Sequence, residues 1–276
     1  MKTLIFSSAL LLFSAMAEAQ FKMPQPSPTQ NLKQDFGMGA IELSYSRPAA
    51  KGRKIVGELV PYGKVWRTGA NATTKITFTT PVEIGGKRVD TGAYAVYTIP
   101  GEKSWDVIIN KGVQNQSVLD YKESEDVARV SVKPEKLKDK AESFTMQFEN
   151  VLPESCNLTL AWEETKVSVP IKTKVKEPLR ASLMEALKGD NKPHWAAAQF
   201  YNEYDNNPTK ALEHLTTALN ENPNAFWMWL YKARVQKAMG DKTGAMESSK
   251  KSLELATAQK NDDYIKMNKE LQASLK

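Results

Sequence analysis

From residue 21 to about residue 172, hydrophobic and polar positions alternate with period two. Ile41, Leu43 and Tyr45 alternate with Glu42, Ser44 and Ser46, and Ile76 and Phe78 with Thr77 and Thr79. Runs of the same kind occupy 94–99, 105–109, 127–132, 144–148, 158–162 and 167–171. Such alternation turns one face of a strand to a core and the other to water. Gly85-Gly86, set between 82–84 and 88–89, predicts a tight hairpin, because glycine accepts the positive φ that such turns require. Pro100-Gly101 punctuates the chain before the Trp105 strand in the same way. About ten short strands with almost no helix between them predict an all-β domain, an antiparallel sandwich or partly closed barrel. One or two helical turns are expected within 133–142, and the proline-rich stretch 23–29 is expected to be an extended lead-in.

After Lys172 the apolar spacing becomes helical. Asn207-Pro208 and Asn222-Pro223 fall between segments, where helices start and stop. Trp195 and Trp229, Ala211 and Ala245, Ala218 and Ser252, and Leu219 and Leu253 all share one spacing. It is the period of the tetratricopeptide repeat, one helix-turn-helix per unit, which 195–223 and 229–256 resemble. Gly240-Asp241 stands at the inter-helix turn and Pro223 closes the first repeat as that family expects, whereas Thr257 replaces the second closing proline. Two repeats fall short of the roughly three that usually stack independently, so helices at 179–187 and 262–275 are expected to complete the core. The resemblance implies that the first helix of each pair lines a protein-docking groove. Projected through Trp195 and Trp229, that face comprises Phe200, Glu203 and Tyr204, then Trp227, Arg234 and Lys237, while the two aligned tryptophans belong to the packing.

The start of the chain bears on compartment. A basic Met1-Lys2-Thr3, an apolar run over 4–13 and the small-x-small Ala17-Glu18-Ala19 predict a cleaved export signal over 1–19. The expected organisation is therefore a signal peptide (1–19), a β-sandwich-like domain (20–172), a linker (173–177) and a helical domain (178–276). The mature chain would be periplasmic or secreted, with no transmembrane segment, since no run reaches the roughly 18 apolar residues that spanning needs. Cys156 is the only cysteine, so no intramolecular disulfide can form even in an oxidising compartment. Its alternating neighbourhood makes it a small buried hydrophobe rather than a nucleophile.

The net charge of +6 is concentrated. From Arg47 to Arg67, the cations Arg47, Lys51, Arg53, Lys54, Lys64 and Arg67 face a single anion, Glu58. Gly52, Gly57, Gly63 and Gly69 interrupt this stretch, and Pro48 and Pro61 stiffen it. A glycine-punctuated basic loop on a rigid sheet can offer guanidinium forks and backbone N–H groups to an anion. Trp66 adds an aromatic face for a sugar ring, and Thr68 and Asn71 add neutral hydrogen-bonding groups. The candidate ligand site is thus Arg47, Lys51, Arg53, Lys54, Trp66, Arg67, Thr68 and Asn71. The same composition also suits internal bracing, with arginine and tryptophan pinning a long loop. Export argues against nucleic acid as the partner, as does the small charge left elsewhere.

This stretch, Tyr45-Ser46-Arg47-Pro48 through Lys51-Gly52-Arg53-Lys54-Ile55 to Leu59-Val60-Pro61-Tyr62-Gly63-Lys64-Val65-Trp66-Arg67-Thr68-Gly69-Ala70-Asn71, resembles an exported bacterial family known only as domain of unknown function twenty-nine-eleven. Gly92-Ala93-Tyr94, Tyr97-Thr98-Ile99-Pro100 and Trp105-Asp106-Val107 carry the likeness further, over about 24–172. The resemblance implies a β domain followed by repeats and supplies no activity. Where that family often has an acidic residue after Gly-Ala-Asn, this chain has Ala72.

No catalytic set stands out. His194 and His214, the only histidines, lack a cysteine or histidine at metal-ligand spacing. Phosphate-binding, dinucleotide and nucleophile-elbow motifs are missing as well, so neither metal nor cofactor is expected. The expected function is non-catalytic: an envelope protein binding an anionic or carbohydrate ligand through its β domain and an unidentified protein through its repeats. The alternatives are a carboxylate-dependent hydrolase of envelope glycans and a purely structural component.

Overall fold

A computed structural model describes residues 23–276; the export signal expected over 1–19 lies outside these. Among the described residues, ten strands precede six α-helices. The strands are β1 Thr29–Phe36, β2 Gly39–Ser46, β3 Thr74–Phe78, β4 Val82–Ile84, β5 Lys87–Val89, β6 Gly92–Ile99, β7 Trp105–Asn110, β8 Asp126–Val132, β9 Glu135–Leu152 and β10 Ser155–Lys172. They form a six-stranded sheet, β1-β2-β3-β6-β7-β8, and a four-stranded sheet, β5-β4-β10-β9. All these strand pairs are antiparallel.

One core joins the two sheets. Ile41, Leu43, Ile76, Phe78 and Val96 from the first meet Phe144, Met146, Leu158, Leu160 and Ile171 from the second. Burying such side chains contributes roughly 1.5–3 kcal/mol each. The Gly85-Gly86 hairpin forms as expected, with φ of 58° and 74°. A Cβ on Gly85 would also come within 2.9 Å of Val130 on β8, so the turn needs glycine for space as well as for φ. Cys156 is buried in the core.

The structure corrects three strand expectations. Residues 133–142 are not helical: Glu135 to Ala141 begin β9, paired with β10 and tied to it by Lys136–Glu164 at 3.2 Å and Lys140–Glu164 at 3.3 Å. Cross-strand pairing overrides the helix-forming Glu, Lys and Leu of this stretch. The runs 158–162 and 167–171 are one strand, because Glu163 takes φ +52° in an irregularity of the ladder that absorbs the break in alternation. Finally, β6 is buried on both faces rather than one. Tyr97 and Ala95 pack outward under Val65 and Tyr121 from neighbouring loops.

The helices are α1 Lys176–Ala186, α2 His194–Glu203, α3 Pro208–Glu221, α4 Phe226–Ala238, α5 Lys242–Ala258 and α6 Asp262–Ala273. α3 begins with Pro208 after an Asn207 cap whose side chain accepts from the Lys210 N–H at 3.1 Å, as the Asn-Pro pair predicts. α5, starting at Lys242, is capped in the same way by Asp241. Ala211 and Ala245 thus sit alike, one turn into α3 and α5, and both are fully buried. Trp195 and Trp229 are half-buried rather than core: each lies along the edge of a cluster, and Trp195 meets Tyr231 edge-on at 5.1 Å.

Helix α1 starts inside the span assigned to the linker, leaving 173–175 between the last strand and the first helix. These three residues are held rather than loose. The Thr173 N–H donates to the Glu154 carbonyl (3.0 Å), the Thr173 hydroxyl to the Pro81 carbonyl (3.1 Å), and the Val175 N–H to the Glu154 carboxylate (2.9 Å). Val175 itself is buried.

Candidate functional site

The loop from Arg47 to Thr73, between β2 and β3, folds over one end of the sandwich and is fastened at several points. Arg47 donates from Nε to the Phe144 carbonyl (3.1 Å) and from Nη2 to the Thr145 hydroxyl (2.8 Å). The Lys51 and Ile55 N–H groups donate to the carboxylates of Glu142 and Glu163. Trp66 exchanges backbone hydrogen bonds with Thr98 of β6, at 2.8 and 3.0 Å, so it extends the line of β3 along the sheet. Its ring stacks on Trp162 and meets the edge of Phe144 at 5.0 Å, and its Nε1–H donates to the Gly69 carbonyl.

Beyond Trp66 the backbone is strained. Thr68 is fully buried and has φ +56°, a region a β-branched residue rarely enters. Its hydroxyl donates to the Thr98 hydroxyl at 3.3 Å, and its carbonyl accepts from Thr74. Such a conformation costs about 1–3 kcal/mol and persists only where the surroundings fix it. Asn71, at φ +58°, is fixed by donating to the Ser27 carbonyl and the Ser46 hydroxyl.

Between these anchors lies a cleft of about 440 Å³. Arg53, Lys64 and Arg67 line it together with Trp66, Trp162 and Asn71, and no carboxylate belongs to its lining among the described residues. Arg53 donates to the Ala49 and Ala50 carbonyls, and Arg67 to the Asn71 carbonyl at 2.6 Å and the Gln116 carbonyl at 3.4 Å. Neutral carbonyls orient these guanidinium groups without neutralising them, leaving their charge available to an anion. The far wall is the β7–β8 loop, which brings Val118 to the cleft. Asn110 secures that loop by donating to the Lys122 carbonyl and the Asp126 carboxylate. Tyr121 donates to Asp126 at 2.9 Å, and burial first, then this carboxylate, push its phenol up to about 12.

Of the residues expected at the ligand site, Arg53, Trp66, Arg67 and Asn71 line the cleft. Arg47 faces β9 instead, Thr68 lies beneath the surface, Lys54 pairs with Glu58 at 3.4 Å, and Lys51 is exposed outside the lining. Lys64, Trp162, Val118 and Ser27 also belong to the lining. Lys64 belongs to the basic run and was legible there, but Trp162 and Val118 arrive from distant segments and leave no local signal.

The DUF2911 family, described as a protein of unknown function, matches residues 27–171, more than half of the chain. The chain belongs to the DUF2911 family. The motif that carried the sequence resemblance supplies most of the cleft lining of this DUF2911 protein. No curated protein matches the chain. It is similar to the solution structure of protein BPP2914 from Bordetella parapertussis, at 23% identity over 37% of this chain and 88% of that one, with a TM-score of 0.31.

The helical part of this DUF2911 protein divides the expected docking face. Phe200, Glu203 and Tyr204 line a groove of about 360 Å³ between α1 and α2. Phe200 is buried at its floor, and Glu203 accepts from the Tyr231 hydroxyl at 2.7 Å. Burial and this carboxylate raise the Tyr231 phenol well above its ordinary value. Arg234 and Lys237 turn instead to α6 and the chain end just after it, donating to Met267 and Ser274. Trp227 is 37% exposed, with its ring edge-on to Phe226. A larger hollow of about 710 Å³ lies where strands meet helices, but Glu83 and Glu154 line it alongside Arg88, Lys172 and Lys174. Mixed charge there gives no comparable selectivity for one sign.

Proposed function

We propose that this chain is a non-catalytic exported protein of the bacterial envelope whose β part holds an anionic, sugar-like ligand in the basic cleft. Its helices, read as two tetratricopeptide-like repeats with flanking helices, dock a partner protein. The observation that carries the ligand reading is the charge of the cleft lining: three cations and two indoles, with the two guanidinium groups held by carbonyls alone among the described residues. Hydrolysis by a carboxylate pair would need two acids facing the bond to be cleaved, and the lining supplies none among the described residues. An acidic saccharide fits both parts of the wall, its carboxylate or phosphate against Arg67 and its ring against an indole.

Calorimetry with oligogalacturonate, inorganic phosphate and a neutral oligosaccharide of equal length tests this. Oligogalacturonate is expected to bind more tightly than the neutral sugar. Arg67→Met should weaken it at least tenfold, a loss of about 1.4 kcal/mol, at unchanged melting temperature. Equal affinity for the acidic and neutral sugars, or full affinity in Arg67→Met, would overturn the reading.

A further inference from the structure

His194 begins α2 and His214 lies within α3, and the hairpin brings them together with Nδ1 to Nδ1 at 2.9 Å and ring centroids 5.2 Å apart. The two distances define the contact. A ring nitrogen lies about 1.15 Å from its ring centre, so a linear N–H···N bond of this length puts the centroids about 5.2 Å apart. The rings therefore face each other nitrogen to nitrogen at hydrogen-bond distance.

Burial and the nearby Lys210 ammonium oppose positive charge on His214. Tyr201 of α2 stacks on His214 at 5.3 Å and 10°, and the Lys210 ammonium of α3 stands over the Tyr201 ring at 5.2 Å. Glu213 is the carboxylate that acts on His214 in the opposite sense.

We propose that the His194–His214 pair is a proton-operated latch between α2 and α3, closed while one proton lies between the two Nδ1 atoms and opened when both rings are fully protonated. A neutral pair and a singly protonated pair each keep one donor facing one acceptor. A doubly protonated pair has two donors and two positive charges at 2.9 Å, and the contact must break. Burial first, then the neighbouring His194 and Lys210, hold the His214 pKa below the ordinary histidine value. With the folded value lowered, the unfolded chain binds more protons below about pH 6.5. The latch is thus fully formed above that pH, and its stabilisation is lost as pH falls from there. α2 also carries Phe200, Glu203 and, at its end, Tyr204, so acid would loosen the helix that forms one wall of the α1–α2 groove. The latch itself is independent of what the groove or the basic cleft binds.

Proton NMR of the full chain reads this directly, because its only two histidines give two ring Hε1 signals. His214 is expected to take up its proton at lower pH than in the urea-denatured chain. In His194→Gln the His214 step should move upward, and His214→Gln should lose less melting temperature than wild type between pH 7.5 and 5.5. A His214 step in the wild-type chain no lower than in the denatured chain, or one unmoved in folded His194→Gln, would overturn the proposal.

Discussion

Trp66, on the β2–β3 loop, and Trp162, on β10, stack with ring centroids 5.7 Å apart and planes 19° from parallel. Phe144 on β9 meets both rings at an angle, so three aromatics from three segments close the end of the sandwich. Trp66 is half-buried while Trp162 is buried, and both indoles line the cleft as well as pack on the core. Trp66→Ala is expected to cost about 2–4 kcal/mol, somewhat below a fully buried tryptophan, and Trp66→Phe less than half of that. Urea unfolding at constant m-value checks it. A loss no larger than an ordinary surface substitution gives, about 0.5 kcal/mol, would mean that the ring does not hold the loop.

The junction of strands and helices makes a second expectation. Glu154 receives the Val175 N–H on its carboxylate and the Thr173 N–H on its carbonyl, so one residue holds the backbone beside the flanking lysines. Glu154→Ala should speed tryptic cleavage at Lys172 and Lys174 several-fold, releasing a β fragment and a helical fragment that each resist further digestion. First cuts inside 66–109 in the variant would argue that the two parts are not separate folding units.

Cys156 offers a built-in reporter. It is 2% exposed, and burial pushes its thiol up to about 11, so both access and ionisation oppose reaction. Labelling with an aromatic disulfide at pH 8 should be at least a hundredfold slower in the native chain than in denaturant, with a rate set by unfolding. Rapid labelling of the native protein would show that this part of β10 opens locally.

Much of the fold was legible because it rests on local rules. Alternation in β2 and β3, the paired glycines of the β4–β5 hairpin and the Asn207-Pro208 start of α3 each depend on a few adjacent residues. What escaped depends on partners distant in sequence. Glu135 to Ala141 look helical until β10 lies beside them, and Glu163 reads as a strand break until its positive φ makes it an irregularity within one strand. The site followed the same division. Arg53, Arg67 and Trp66 were visible in the basic motif, but nothing local separates Arg47, which faces Phe144, from Arg67, which faces the cleft. The two histidines, on different helices, were invisible as a pair until α2 and α3 folded against each other.

Strand β10 runs along β9 for most of its length, meets β4 at its last residues, and leads through three residues into α1. A partner pulling on the helices would load that strand along its own axis. The bonds to β9 lie across the pull, in runs separated by the irregularities of the ladder, so that each run would shear as a unit. The helices are therefore moored through β10 to the four-stranded sheet, on the strand that also carries Trp162 of the cleft wall.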